Sequence, residues 1–261
     1  MTEEAVARVA GPVDRVVDRI PFLEKELFLL RLLVRPGDVC VDIGAAGGAH
    51  LLVMARGAGP DGHVLGIEPR PGSARLLRGG VRAAGLSRRV RVRQVATSDQ
   101  VGEVTLRIPI VPTRAHVPGT SADPMTAAFA RLPHRRIVVP TAPLDALLAE
   151  EGIDHVDVVK CDVEGAELLA LAGAQHVLQD LRPVWIIEAD DLHQRRFGAT
   201  AQDVLDAVTR HGYGVHRFRR GALEPVDHAT DDEDDYVFIP DEREIAVPRR
   251  LDPSSDAVDP S

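Results

Sequence analysis

Short apolar segments alternate with longer helical segments along most of this chain, and that alternation limits the folds open to it. The apolar segments at residues 39–43 (VCVDI), 63–68 (HVLGIE) and 158–162 (VVKCD) each precede a stretch in which apolar side chains recur every three or four positions. Such alternation is typical of a parallel sheet whose crossover helices cover both faces. Seven strand-like segments and about six helical ones therefore predict one doubly wound α/β domain with a mostly parallel, seven-stranded sheet.

The places where this alternation stops suggest the domain boundaries. Residues 1–36 have a helical pattern, so we expect an N-terminal segment that caps the substrate side of a main domain at 37–240. Residues 109–135 are rich in Pro, Ser and Thr, and an insertion of this length is either a lid over a site or simply mobile. The acidic run 231–235 is most simply a solvated loop before the last strand. Residues 241–261 lack periodicity, which predicts disorder.

Composition argues against several classes of protein. The formal charge of −9 disfavours nucleic acid as the main partner, because phosphate binding needs a basic face. No apolar run reaches the ~18 residues that a membrane span needs, and the N-terminus lacks the layout of a signal peptide. We therefore expect a cytoplasmic protein with no membrane contact. Cys40 and Cys161 each lie in an apolar run, which predicts two buried, unpaired cysteines.

Acids and glycines follow four of the predicted strands. They are Asp42 with Gly44, Glu68, Asp162 with Glu164, and Glu188 with Asp190. In open α/β sheets, ligands lie at the carboxyl ends of the strands, near the point where the strand order reverses. These residues therefore predict a ligand site along one edge of the sheet.

The turn in VDIGAAGGAH carries the strongest information about the ligand. Gly44, Gly47 and Gly48 would let the turn approach a ligand, and the next helix offers its N-terminal amides. A dinucleotide fold would show G-x-G-x-x-G here, and Asp42 would lie unfavourably beside a pyrophosphate. Asp42 suits a ligand with an amino group and Glu68 suits ribose hydroxyls, so S-adenosylmethionine fits both. A nicotinamide oxidoreductase and a cofactor-binding scaffold without turnover remain as alternatives.

A resemblance to a known family adds to this interpretation. The segments that carry it are RPGDVCVDIGAAGGAH, GIEP, VATSDQVGEVTL, PLDALLAEEGIDHVDVVKCDVEGAELLALAGA, PVWIIEAD and DYVFIP, from about Phe22 to Pro240. The chain resembles the FkbM-type methyltransferases, and KCDVEGAE is the most specific of these segments. The resemblance implies a class I, Rossmann-like fold that binds S-adenosylmethionine. It also implies O-methylation of a hydroxyl on a sugar, polyketide or other specialised metabolite, as in natural-product biosynthesis.

The same resemblance implies a set of cofactor-binding residues. Those matched to the family's cofactor turn, its ribose-binding segment and its adenine segment are Asp42, Gly44, Ala45, Gly47, Glu68, Pro69, Ser98 and Asp99, with Asp162 beside the turn. The chain departs from the family at two positions of the turn. Ala45 or Ala46 stands where the family has Asn, and His50 stands where it has an aromatic residue. The lost amide would weaken or reshape contacts with the cofactor.

The segment KCDVEGAE is the candidate for catalysis. Methyl transfer needs an aligned nucleophile, and a hydroxyl nucleophile is helped by a base or a metal ion. Asp162 could hydrogen-bond the cofactor's amino group, orient the substrate hydroxyl or bind a metal. Glu164 is either catalytic or the N-cap of the next helix, and Glu167 fits best as a charge at the start of that helix.

Residues after the fifth predicted strand complete the candidate site. Glu188 is a further catalytic candidate, and Asp162, Glu188 and Asp190 could together hold Mg²⁺. His193 is the best-placed imidazole for a base, whereas His50 fits better as a surface or packing residue. The expected partner is a small molecule with a hydroxyl group, and a homodimer is left open.

Overall fold

The computed structural model describes residues 25–109, 134–219, 222–230 and 234–243. The strands are β1 (Val39–Ile43), β2 (His63–Ile67), β3 (Val90–Arg93), β4 (Ala96–Thr97), β5 (Gly102–Pro109), β6 (His134–Ala142), β7 (Val158–Cys161), β8 (Val184–Glu188), β9 (Tyr213–Arg219), β10 (Ala222–Pro225) and β11 (Asp235–Pro240). The α-helices are α1 (Lys25–Leu33), α2 (Ala49–Gly57), α3 (Pro71–Ala83), α4 (Leu144–Glu151), α5 (Glu167–Ala172), α6 (Asp191–Gln194) and α7 (Ala201–Thr209).

The main sheet has eight strands in the order β10-β9-β11-β8-β7-β1-β2-β3. The run from β8 through β7, β1 and β2 to β3 is parallel, whereas β11 runs antiparallel to both β8 and β9. The order reverses between β1 and β7, where a ligand site is expected. This arrangement confirms the doubly wound, mostly parallel α/β prediction.

The predicted count of seven strands is wrong. Strand β10 extends the edge of the main sheet by pairing with β9, and β4, β6 and β5 form a separate three-stranded sheet. Strand β10 reads ALEP, which has little intrinsic preference for a strand and no alternation of apolar residues. Its pairing with the neighbouring strand explains why local sequence did not reveal it.

The strands of the sheet centre are buried on both faces, because helices cover both. Val41, Val159 and Trp185 face one apolar core, whereas Cys40 and Val158 face the other, which α1, α2 and α3 cover. Both cysteines are buried and unpaired, as predicted. Side chains alternate between faces along a strand. Asp42 and Lys160, which are register partners, therefore share the face covered by α1–α3.

The predicted helix over GAELLALAGAQHVL is divided in the structure. Helix α5 ends at Ala172, and a separate π-helical turn occupies Val177–Leu181. Gly173 lies so close to the chain that an added Cβ would be 2.0 Å from the Ser98 carbonyl oxygen. The Asp145 carboxylate accepts hydrogen bonds from the amides of His176 (2.9 Å) and Val177 (3.2 Å), which begins the second piece.

Several of the predicted segments fall outside the described residues. Of the predicted N-terminal cap only α1 and the residues after it are described, and most of the 109–135 insertion lies outside. Of the acidic run 231–235, Asp234 and Asp235 are described. Asp235 is the first residue of β11, not part of a solvated loop, and it pairs in register with Glu188. None of the helices in the described ranges is long and apolar enough to cross a bilayer.

Candidate functional site

A cavity of about 360 Å³ lies at the carboxyl ends of β1, β2 and β7, at the point where the strand order reverses. Its walls come from the glycine turn after β1, the residues after β2, the small second sheet and the segment after β7. The predicted site residues among its lining are Gly44, Ala45, Gly47, Glu68, Pro69, Ser98, Asp162 and Glu164.

The glycine turn is shaped by its contacts with the sheet. Gly44 has φ +86°, and an added Cβ would lie 1.8 Å from the Asp162 carbonyl oxygen. Gly48 has φ +83°, and its Cβ would lie 2.4 Å from a methyl carbon of Leu77. A Cβ on Gly47 would meet nothing within 4 Å. Close packing against protein, rather than approach to a ligand, therefore requires the glycines at 44 and 48.

The Glu68 carboxylate joins the glycine turn to the end of β2. Its Oε2 accepts a hydrogen bond from the Ala46 amide (2.9 Å), and its Oε1 accepts from the backbone N and Nε of Arg70 (both 2.8 Å). The side chain is only 2% exposed. Arg70 also lines the cavity and was not predicted, although it lies only two residues after Glu68.

The far end of the cavity is mostly apolar. Val95, Val104 and Leu106 line it with Ser98 and Thr141. Three of these five residues belong to β5 and β6 of the second sheet, whose long-range pairing local sequence did not reveal. Asp99 does not line the cavity, although its Oδ1 accepts a hydrogen bond from Ser98 Oγ (3.0 Å).

Asp42 lies outside the lining of the cavity, contrary to its predicted contact with the cofactor. The alternation of β1 directs its side chain to the face covered by α1, and the residue is 0% exposed. Neither carboxylate oxygen has a hydrogen-bond partner within the described part of the chain. Burial raises the pKa of Asp42, and the positive charge of Lys160 opposes that rise.

Asp162 lines the cavity and is paired with a buried lysine. Lys160 Nζ lies 3.2 Å from Asp162 Oδ2 and 3.5 Å from Glu26 Oε1. Burial lowers the pKa of Lys160, but the charges of Asp162, Glu26 and Asp42 outweigh it and raise the pKa overall. Lys160 and Glu26 were not predicted as site residues. The signal for Lys160 was a lone lysine inside a buried strand.

The turn after Asp162 holds Glu164 in an unusual conformation. Glu164 has φ +58°, a left-handed backbone that non-glycine residues rarely adopt. Helix α5 begins at Glu167 with Ala166 as its N-cap, so the N-cap alternative for Glu164 is wrong. Backbone strain of this kind is concentrated at functional sites. The strain and the position in the cavity lining leave Glu164 as a candidate for chemistry.

Glu167 starts α5, as predicted. Its side chain is buried, however, and holds the preceding turn through hydrogen bonds. Its Oε1 accepts hydrogen bonds from the amides of Val163 (2.9 Å) and Gly165 (3.2 Å), and its Oε2 accepts from the side chain of Gln194. Burial raises its pKa against these hydrogen bonds. One side chain thus joins the Val163–Gly165 turn to α6.

Glu188, Asp190 and His193 form a group behind Glu164. His193 Nδ1 lies 3.8 Å from Glu188 Oε2, and its Nε2 lies 3.4 Å from Glu164 Oε2 and 3.9 Å from Asp190 Oδ2. Burial raises the pKa of Glu188 to about 8, with Asp162 adding to the rise. The described residues that line the cavity include neither Glu188 nor His193.

The ligand atoms that could hold a metal differ from the predicted set. Glu164, Glu188 and His193 each offer one such atom, all within 4.8 Å of one another. Of the predicted set, Asp162 pairs with Lys160, and Asp190 Oδ1 accepts a hydrogen bond from the Leu192 amide (2.6 Å). A set with an imidazole suits a transition metal better than Mg²⁺, which prefers oxygen ligands.

Comparison with known proteins gives consistent matches. The family described as the methyltransferase FkbM domain matches residues 42–215. The 31-O-demethyl-FK506 methyltransferase FkbM of Streptomyces tacrolimicus is 30% identical over 183 residues, which are 59% of this chain and 68% of that protein.

Solved structures of low sequence identity were also found. The methyltransferase FkbM of Methylobacillus flagellatus is 19% identical with a TM-score of 0.49, over 77% of this chain and 43% of that one. An S-adenosylmethionine-dependent O-methyltransferase of Thermotoga maritima is 18% identical with a TM-score of 0.44, over 86% of this chain and 68% of that one. The chain thus spans less than half the length of the Methylobacillus structure.

Proposed function

Because the chain belongs to the FkbM methyltransferase family, we propose that it transfers the methyl group of S-adenosylmethionine to a hydroxyl of a small molecule. The observation that carries this proposal is the cavity. It runs from an apolar far end, past the glycine turn and Glu68, to the carboxylates of Asp162 and Glu164.

The chemistry of the lining matches the parts of this cofactor. Val95, Val104 and Leu106 offer an apolar wall for the adenine ring, and Glu68 lies where ribose hydroxyls would bind. The Glu68 carboxylate accepts hydrogen bonds from the Ala46 amide and the Arg70 side chain. With the cofactor bound, Arg70 and the ribose hydroxyls would both donate to this carboxylate. The acidic end suits the positive charges of the methionine part.

The residues at the acidic end would orient the two reactants. When bound, S-adenosylmethionine supplies an electrophilic methyl group on a sulfonium. Asp162 would accept a hydrogen bond from the acceptor hydroxyl or from an amino group, and Lys160 fixes its carboxylate from behind. Alignment of this kind can supply a large part of a rate enhancement. The curated relative, whose name gives 31-O-demethyl-FK506 as its substrate, supports transfer to oxygen.

Two alternative functions, and the predicted requirement for Mg²⁺, have weaker support. A nicotinamide cofactor is disfavoured by membership of the methyltransferase family and not by Asp42, which does not line the cavity. A requirement for Mg²⁺ has little support, because the available ligand set includes His193. A scaffold without turnover has no specific observation in its favour.

Calorimetric titration with S-adenosylmethionine and with NAD tests the cofactor assignment. We expect one equivalent of S-adenosylmethionine to bind and NAD not to bind. Leu106→Arg should weaken binding at least about tenfold, equal to about 1.4 kcal/mol, because it places a charge in the apolar wall. Val101→Arg is the matched control, because Val101 is exposed just before β5. Binding of NAD without S-adenosylmethionine would overturn the proposal.

A further inference from the structure

A buried lysine links helix α1 to the cavity. Glu26 is the second residue of α1, and its Oε1 lies 3.5 Å from Lys160 Nζ. Lys160 Nζ in turn donates a hydrogen bond of 3.2 Å to Asp162 Oδ2. Asp162 belongs to the described lining of the cavity, whereas Glu26 and Lys160 do not. Two ionic contacts therefore run from α1 to a carboxylate that can touch a ligand.

The burial of Lys160 gives both contacts their importance. Its side chain is only 1% exposed, and a buried charge is costly unless it is paired. Burial lowers the pKa of Lys160, but the charges of Asp162, Glu26 and Asp42 raise it overall. The ammonium group therefore stays charged, and its three donors favour acceptors on more than one side.

Asp42 is a further carboxylate that attracts this ammonium group. It is the register partner of Lys160 on the neighbouring strand, and both lie on the face covered by α1–α3. Neither oxygen of Asp42 has a hydrogen-bond partner among the described residues. The four-carbon stem of a lysine is flexible, so the position of its ammonium group depends on the acceptors around it. Without Glu26, Asp42 would compete with Asp162 for Lys160.

Glu26 is itself fixed by contacts with two other elements. Its Oε2 lies 2.9 Å from Nε2 of His50, the second residue of α2. A hydrogen bond joins its side chain to that of Asp235, the first residue of β11. Burial raises the pKa of Glu26, but His50, Lys160 and Asp235 lower it overall to about 2. Glu26 therefore stays ionised in the neutral range, with its Oε1 facing Lys160.

We propose that Glu26 is a positioning residue for methyl transfer, acting through Lys160 on the Asp162 carboxylate; this assignment rests on the methyl transfer proposed above. Glu26 attracts the Lys160 ammonium group and so keeps it from moving towards Asp42. Asp162 then keeps the orientation in which it accepts a hydrogen bond from the acceptor hydroxyl. Helix α1 therefore contributes to the active site, although none of its described residues lines the cavity.

Replacement of Glu26 tests this role, with kcat measured as transfer of a labelled methyl group to an acceptor that the parent methylates. Glu26→Gln removes the charge and keeps the size of the side chain. We expect kcat to fall about tenfold, because misplacement by about 1 Å can cost on the order of 10²-fold. Calorimetric affinity for S-adenosylmethionine should change less than about threefold, since Glu26 lies outside the described lining.

Two further variants serve as references. Glu26→Asp keeps the charge and should recover part of the lost kcat. Glu150→Gln should match the parent, because exposed Glu150 forms its ion pair with Arg93 at the surface.

A double-mutant cycle shows whether Glu26 acts through Asp162. In an Asp162→Asn background we expect Glu26→Gln to lower kcat less than about twofold, because the carboxylate that Glu26 positions is already absent. A merely structural role would give the same loss in both backgrounds. If Glu26→Gln does not fold, Glu26→Asp takes its place in the cycle.

Removal of the competing carboxylate is a second readout. Asp42→Asn combined with Glu26→Gln should restore part of kcat, because Lys160 then has Asp162 as its main acceptor. Equal losses from Glu26→Gln in both backgrounds, an unchanged kcat in Glu26→Gln, or no recovery with Asp42→Asn would overturn the assignment. Absence of transfer by the parent would instead overturn the proposed function, and this assignment with it.

Discussion

Two neighbouring carboxylates, Glu164 and Glu167, show how much a single side chain can decide at this site. Glu167 is buried and accepts two backbone hydrogen bonds, whereas Glu164 lines the cavity on a left-handed turn. Glu167 accepts the hydrogen bonds that hold the turn in place, and the turn places the side chain of Glu164 in the cavity lining. Glu167 is a positioning residue, and Glu164 is the group that can touch a ligand.

Replacement of Glu167 tests this division of roles. Glu167→Ala leaves the amides of Val163 and Gly165 without their acceptor, and an unsatisfied buried group costs about 1–3 kcal/mol. We expect the free energy of unfolding in urea to fall by about 2–4 kcal/mol, since both amides lose a partner. Glu167→Gln should retain most of the stability, because it keeps one acceptor oxygen and matches the protonated form that burial favours.

Glu150→Ala is the control for this prediction. Glu150 is exposed on α4 and pairs with Arg93 at 2.6 Å, a surface ion pair worth no more than about 1 kcal/mol. If Glu167→Ala were as stable as Glu150→Ala, Glu167 would not be organising the turn.

At the scale of elements, the sequence was informative wherever a pattern was local. The strands β1, β2, β7 and β8 are short apolar runs followed by helical segments. Their sequence pattern therefore predicted both the strands and their burial. The second sheet was not predicted as a sheet, because β4, β5 and β6 are paired through long-range contacts that leave no period in the sequence. The divided helix after β7 depends on Asp145, 31 residues away from the amide it caps.

The same distinction applies to the residues of the site. Gly44, Glu68 and Asp162 follow strands, and strand ends meet at one edge of a sheet, so their common location was predictable. The side-chain directions of Asp42 and Asp99 were not, because they depend on the register and on the turn. Glu26 and Lys160 were missed because the first comes from a helix that only the tertiary fold brings near the second.

At the scale of the whole molecule, the sheet face under α1 gathers more acids than bases. Asp42, Glu188 and Asp235 have a raised pKa with burial as its largest cause, and Lys160 is the main positive charge among them. For Asp235 the pKa rises to about 9, with Glu26 adding to the effect of burial. The carboxyl groups of Glu188 and Asp235 therefore stay mostly protonated at neutral pH.

These shifts predict how stability depends on pH. A carboxyl group whose pKa is raised in the folded state keeps its proton there to a higher pH. Its contribution to the free energy of unfolding is complete below the unfolded pKa and is lost as pH rises through the folded pKa. The window for Asp235 and Glu188 therefore extends from about pH 4 to about pH 9. We expect the free energy of unfolding of the parent to fall over this window.

Asp235→Asn should make that fall shallower. One pKa unit corresponds to about 1.4 kcal/mol, and the window from pH 5 to pH 9 lies between the unfolded and folded pKa values of Asp235, so we expect a gain of several kcal/mol relative to the parent over this range. Urea unfolding across this range measures it. Asp227→Asn is the control, because Asp227 is exposed. Its free energy of unfolding should depend on pH in the same way as that of the parent. Parallel curves for Asp235→Asn and the parent would show that Asp235 does not hold a proton in the folded state.

The most direct test of the central claim is transfer of a labelled methyl group from S-adenosylmethionine to a panel of hydroxylated small molecules. We predict methylation of at least one acceptor by the parent. Asp162→Asn should transfer about 10²-fold more slowly while binding the cofactor within about threefold, because Asp162 orients the acceptor. Asp154→Asn, at an exposed position, should match the parent. Cofactor binding with no methylated acceptor, or full transfer by Asp162→Asn, would contradict this account.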